Sequence, residues 1–241
     1  MSSGSQPVIL PHGVAGAVVR FSDKLDDAAN RAALAFRAEI VRAPPTGLEE
    51  CASALASVFL RFDPGHTSFE TLQADLTLRL ATRDYRTAEL PHKRRLWRVP
   101  AVFGGPHGPG LDAVAKAAGL TPEAAVEDLT HRPVRVLAIG FAPGMPYLGE
   151  LAPRWDIPRL PDLIEVPEGA LVLAIRQFVL FTNPSPTGWN HIAQTAFQPF
   201  RPNTADPFAL RAGDEVWFRS VEPDEFRDLG VDGGAMVEDI P

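Results

Sequence analysis

Gly140-Phe141-Ala142-Pro143-Gly144-Met145-Pro146-Tyr147-Leu148-Gly149 is the stretch from which the second half of this chain is read. Glycine lets a backbone turn sharply and proline restricts it, and here both surround Phe141, Met145 and Tyr147 directly after the apolar run Val134–Ile139. The pattern predicts a strand followed by a rigid loop, with backbone amides and one aromatic hydroxyl held in fixed directions. Further short runs follow at Ala170–Ile175, Phe178–Phe181, His191–Ala196 and Glu215–Arg219, separated by Gly/Pro turns. Such spacing predicts a closed or partly closed β-barrel. Asn183-Pro184-Ser185-Pro186-Thr187-Gly188-Trp189-Asn190-His191 repeats the character of the first stretch, with Trp189 as an apolar wall. Pockets need rigid apolar surface with a few placed polar groups, and these two segments hold both; two structured hairpin turns would use the same residues.

Upstream, Leu96–Phe103 reads as a strand running into Gly104-Gly105-Pro106-His107-Gly108-Pro109-Gly110. Leu111–Ala118 is a short helix stopped by Gly119, and Thr121-Pro122-Glu123 opens another to about Leu129. A glycine-rich loop between strand and helix can cradle a phosphate. This one lacks dinucleotide spacing, and its two prolines remove donors, so a plain turn competes with an anion site.

Of the 24 prolines, 18 lie from Pro100 onward, which leaves the first part free to hold helices. There Gly16–Phe21 is a strand, and Asp26-Asp27 opens an Ala-rich helix from about Ala28 to Val41. Leu48–Ala52 and Ser57–Phe62 are strands, and Thr67-Ser68-Phe69-Glu70 has capping-box spacing for a helix to about Leu80. The order β-α-β-β-α predicts an α+β domain over residues 1–90, with the barrel over 91–241. Between them Pro91-His92-Lys93-Arg94-Arg95 reads as a solvated linker, since no aromatic residues interleave it as a nucleic-acid patch requires.

Composition narrows the function. A net charge of -7 argues against general nucleic-acid binding, and 45% hydrophobic with 22% charged residues excludes disorder. No apolar run reaches the roughly 18 residues of a membrane helix, and Met1–Gln6 has no secretory pattern. A cytoplasmic protein is expected, without membrane contact. Cys51 stands alone, so no intrachain disulfide or thiolate zinc site is available, and its Ala/Leu setting reads as buried structure. The six histidines show no ligand spacing, so no metal is predicted. No Gly-x-Ser-x-Gly elbow, Walker loop or His-Glu-x-x-His occurs.

Several segments taken together resemble the carboxyltransferase subunit family. They are Trp97–Gly105, Gly140–Gly149, Val166-Pro167-Glu168-Gly169-Ala170, Gln177, Ser185–Trp189 with Gln194-Thr195, and Leu210–Val216. That family includes the B-type 5-oxoprolinase subunit, allophanate hydrolase subunit 1 (the first half of the urea carboxylase carboxyltransferase domain) and the sporulation kinase inhibitor. The resemblance covers nearly the whole chain and implies a small α+β domain followed by a mainly-β, cyclophilin-like barrel.

The chain also departs from the family pattern. Where members have Gly-Gly-Glu-Phe-Gly-Pro-Asp-Leu, it has Gly104-Gly105-Pro106-His107-Gly108-Pro109-Gly110-Leu111, without either acid. Where members have Ile-Ala-Gly-Gly-Gln-Thr-Gly, it has Leu173-Ala174-Ile175-Arg176-Gln177-Phe178-Val179. The arginine often found shortly before Val-Pro is absent from Asp162–Glu165, and Ser-Pro-Gly-Gly-Trp has become Ser185-Pro186-Thr187-Gly188-Trp189. Bulk in place of glycine is expected to narrow or re-aim the pocket.

The resemblance implies a B-type subunit of a heteromeric hydrolase or carboxyltransferase that is not active alone. Its partner is a C-type, allophanate hydrolase subunit 2-like chain of the same barrel architecture, with an A-type lactam hydrolase subunit in the oxoprolinase case. The complex would open a small cyclic amide with ATP, or move a carboxyl group from carboxybiotin on a partner to a urea-type nitrogen. Either reaction polarises an amide while negative charge grows on its oxygen. The expected substrate contacts are Tyr147 as hydroxyl donor, Gln177 as amide pair, Asn190 and His191, with Pro146 and Trp189 as walls. His191 is also a candidate proton carrier. The competing readings are a non-catalytic inhibitor or binding protein, and a solitary barrel that binds a small acid.

Overall fold

The computed structural model describes residues 6–91 and 94–240, so Met1–Ser5, and His92 and Lys93 of the basic stretch, lie outside the described residues. The chain divides between His92 and Lys93 into two units. The first holds β1 (Val8–His12), β2 (Gly16–Arg20), α1 (Asp27–Arg42), β3 (Leu48–Ala54), β4 (Ser57–Phe62) and α2 (Phe69–Ala81). Its antiparallel sheet has the order β1-β2-β4-β3. The expected β-α-β-β-α order is present, preceded by one further strand. That strand contains Pro11, which reads as a breaker but is tolerated on a sheet edge. Asp26 caps α1 by accepting from the Ala29 amide at 2.7 Å. Ala29, Ala32, Ala33, Phe36 and Ile40 join Val19, Val58 and Leu60 in one core. The cap of α2 is Ser68 rather than Thr67, its hydroxyl accepting from the Thr71 amide at 3.2 Å.

The second unit begins with β5 (Arg94–Phe103), α3 (Leu111–Ala117), α4 (Pro122–Thr130), β6 (Val134–Ile139) and β7 (Pro146–Gly149). It continues with β8 (Ile164–Val166), β9 (Ala170–Ala174), β10 (Gln177–Leu180), β11 (Ser185–Thr187) and β12 (Asn190–Gln194). β13 (Glu215–Ser220), α5 (Pro223–Arg227) and β14 (Met236–Ile240) complete it. Strands β12-β9-β10-β7-β6-β13-β5 run in that order, and pairing of β12 with β5 closes the barrel. The end of the Gly140–Gly149 stretch is therefore strand, not loop: Tyr147 faces Ala138 on β6 and Val179 on β10. Pro146 is admitted because it opens its strand.

A charge pair with a buried carboxylate ties two neighbouring strands of the barrel. Asp214, 4% exposed, accepts from the Arg95 guanidinium at 2.5 and 3.3 Å and from the Arg211 amide at 2.9 Å. This joins the start of β5 to the Arg211-Ala212-Gly213-Asp214 turn before β13.

β9 explains where a site can form. Leu171 and Leu173 enter the barrel core with Phe178, Leu180 and Leu148. Ala170, Val172 and Ala174 point the other way and pack with Met145, Val179, Phe181 and Trp189. A strand apolar on both faces needs cover outside the barrel as well, and that outer layer carries a cleft.

Candidate functional site

The cleft encloses about 350 Å³ between β7, β10 and the segments bearing Arg159 and Trp189. Tyr147 and Trp189 meet edge to face, with ring centroids 6.4 Å apart and planes at 78°. The Thr187 hydroxyl accepts from the Trp189 amide at 3.2 Å and fixes the backbone of the wall. The Leu160 amide donates to the Gly188 carbonyl at 2.6 Å, which holds Arg159 against the same wall. Arg159 places its guanidinium 5.4 Å from the Trp189 ring centroid. Burial raises the Tyr147 phenol above its ordinary pKa, against the opposing pull of Arg159, so the hydroxyl keeps its proton and can donate. Phe141, 81% exposed with φ at +73°, and Leu163, 72% exposed, stand at the mouth.

Of the six expected contact residues, only Tyr147 and Trp189 line this cleft. Pro146 is buried opposite Ile139. Gln177, 5% exposed, shares the outer face of β10 with Val179 but lies one pleat further along, beside Gly149. Asn190 donates to the Leu173 carbonyl at 3.1 Å, which engages its amide within the barrel wall. His191 hydrogen-bonds through Nε2 to the Ala193 carbonyl at 3.1 Å. Burial pushes its pKa below the ordinary 6.5, against hydrogen bonds to Ala193 and Gln194 that raise it. His191 is thus bonded within the fold and does not line the cleft. Cys51, read as buried, is only partly so, and burial pushes its thiol up to about 11.

Comparison with known proteins places this geometry in a family. Residues 7–210 match the family model described as carboxyltransferase domain, subdomain C and D. The chain belongs to this family. It is 31% identical over 227 residues to the B-type 5-oxoprolinase subunit of Bacillus subtilis (strain 168), covering 89% of this chain and 92% of that one. Among solved structures it resembles TTHA0988, with a TM-score of 0.72 and 33% identity over 87% of this chain; it spans 40% of that protein. The urea amidolyase of K. lactis shares the fold at a TM-score of 0.72 and 18% identity, over 97% of this chain and 16% of that one.

Two departures from the usual carboxyltransferase-domain pattern take on a physical meaning. In Gly104–Gly110 the amides of Gly104, His107, Gly108 and Gly110 all bond to carbonyls of the unit itself, at 2.7 to 3.3 Å. A Cβ on Gly108 would lie 2.0 Å from the Ile192 carbonyl oxygen, so glycine is retained for packing against β12. Glu123 and Glu222 line the adjoining cavity. Four of the loop's amides are therefore used within the fold, as in a plain turn.

Ile175-Arg176 forms the two-residue turn between β9 and β10, with φ at +42° and +63°. Both residues occupy the left-handed region that glycine favours. Their amides donate to Ile157 and Trp155, and the Arg176 side chain reaches Glu150 at 2.8 Å and the Leu151 carbonyl at 3.0 Å. The bulk of Ile175 and Arg176 clamps the 150–157 segment away from the cleft, whereas Val179 and Thr187, which also replace glycines of the family pattern, line it. Sequence reading missed Arg159, although Pro158 and Pro161 mark its segment as rigid.

Among the described residues no group of His, Cys, Asp and Glu could hold a metal, and no helix is long and apolar enough to cross a membrane.

Proposed function

We propose that this chain is the B-type subunit of an amide-hydrolysing complex of the 5-oxoprolinase kind, and that it binds the amide in the Tyr147–Trp189 cleft. The observation that carries the reading is a protonated phenol set edge-on to an indole wall, which suits a flat ring whose carbonyl accepts from Tyr147. Among the described residues no Ser, Cys, His, Asp or Glu lines the cleft, so this chain orients and polarises, and nucleophile and base come from a partner. Phe141 and Leu163 offer a C-type partner an apolar contact at the mouth.

ATP belongs to the complex and not to the Gly104–Gly110 loop, whose inward-bonded amides do not fit a triphosphate. The same wall and hydroxyl suit the ureido ring of carboxybiotin on a partner. The name of the Bacillus relative favours lactam opening over carboxyl transfer. An A-type lactam hydrolase subunit completes the assembly in that case, and the cytoplasm is its expected place. The missing nucleophile equally suits a non-catalytic binding protein, which is the second reading.

One reconstitution separates them. The chain, co-expressed with C-type and A-type subunits, is assayed for ATP-dependent opening of 5-oxoproline. Tyr147→Phe is expected to lower turnover about 5- to 150-fold, the cost of an unpaired carbonyl, while Tm and co-elution stay near wild type. Full activity in that variant rejects the cleft. A chain that ignores both partners on a sizing column favours the binding protein.

A further inference from the structure

Five arginines among the described residues lie over aromatic rings, and four of them are neutralised by a carboxylate. Arg83 over Tyr85 pairs with Glu39 at 3.4 Å, and Arg95 over Trp97 pairs with Asp214. Arg98 over Trp217 pairs with Glu238 at 2.9 Å, and Arg201 over Phe197 pairs with Asp232 at 3.0 Å. Arg159 over Trp189 is the exception: it makes no ion pair among the described residues. The hydrogen bond from the adjoining Leu160 amide to Gly188 holds the backbone beside it, and the exposed guanidinium lines the cleft with no carboxylate partner among the described residues. A guanidinium presents its donors as a planar fork that matches a carboxylate. Beside it lie the flat indole and the proton-bearing phenol of Tyr147.

We infer that Arg159 is the specificity-determining residue of this cleft, selecting a planar amide that carries a carboxylate over a neutral one. The inference rests on the proposed role of the Tyr147–Trp189 cleft and adds to it a division of labour. Arg159 reads the acid, Trp189 reads the flat face, and Tyr147 reads the amide carbonyl. The carboxylate does for Arg159 what Glu238 does for Arg98.

Calorimetry on the full chain tests this with two rings of one size, 2-pyrrolidone and its carboxylated form, 5-oxoproline. The carboxylated ring is expected to bind about tenfold or more tightly, as a charge-assisted pair implies. Arg159→Gln should bring the two affinities close together without lowering Tm, because the side chain is exposed. Arg159→Lys should keep part of the preference, losing the fork but not the charge. Equal binding of both rings, binding of neither, or an unchanged ratio in Arg159→Gln overturns the inference. Tyr147→Phe tells this failure from failure of the cleft. If it weakens both rings alike while Arg159 has no effect on the ratio, the cleft stands and Arg159 falls. If it changes neither affinity, the ring sits elsewhere and the proposed function falls with it.

Discussion

Two sides of the barrel treat their polar groups in opposite ways. Around the start of β5 and the Gly104–Gly110 loop, the groups turn inward: Asp214 takes Arg95 and the Arg211 amide, and the loop amides take carbonyls of the unit. Around β7 and β10, the Arg159 guanidinium and the Tyr147 phenol converge on a cleft, and Arg159 has no ion pair among the described residues. Rigidity alone does not distinguish a site, since both sides are fixed by proline, glycine and backbone hydrogen bonds. The difference is whether donors are satisfied within the fold or left aimed at a space.

Substitutions on the inward-bonded side should therefore act on stability. The largest effect is expected from Asp214→Ala, which strands a half-buried Arg95 and should cost roughly 3–5 kcal/mol in denaturant titration. A loss below about 1 kcal/mol, the range of a surface pair, would undo the contrast.

His191 supplies an intermediate test. Its folded pKa lies below the unfolded value of 6.5, so above 6.5 the neutral ring costs nothing. As pH falls through 6.5 toward the folded pKa, the unfolded chain takes up the proton first and stability declines. Melting curves at about pH 7.5 and about pH 5.5 should show this fall, and His191→Gln should make it smaller. An equal fall in wild type and variant would place the sensitivity in other groups.

The smallest effect should come from the β9–β10 turn. Asn tolerates the left-handed backbone better than a β-branched residue, and Ile175 is 42% exposed, so little burial is lost. Ile175→Asn is expected to stabilise by about 1 kcal/mol, raising Tm by about 2–4 °C. A lower Tm would mean that the Ile175 side chain holds the clamp on 150–157.

Much of the fold was legible. α1, β4, β6 and α4 fall where periodicity and caps predict them, because each is decided by local pattern. The missed strands β1, β7, β8, β11 and β14 are short or carry Pro11, Pro146 or Pro186. Proline was read as a breaker there, yet edges and strand starts admit it. The site was less legible. Tyr147 and Trp189 stood out because rigid aromatic segments are unusual; Gln177 came from the family motif, Asn190 and His191 came from their place next to Trp189, and none of the three lines the cleft.

By itself, then, the sequence determined the two-unit α+β and barrel order, the family and the two rigid aromatic segments, because these rest on local pattern and on motifs. Only the tertiary structure decided which polar groups remain available. Asn190 is consumed by Leu173, His191 by Ala193 and Arg176 by Glu150 and Leu151, each through a partner that folding brings near. Arg159 and Trp189 lie in different segments, and nothing in either marks the other. Whether a charge finds a carboxylate within the fold depends on three-dimensional neighbours, and for Arg159 it finds none among the described residues.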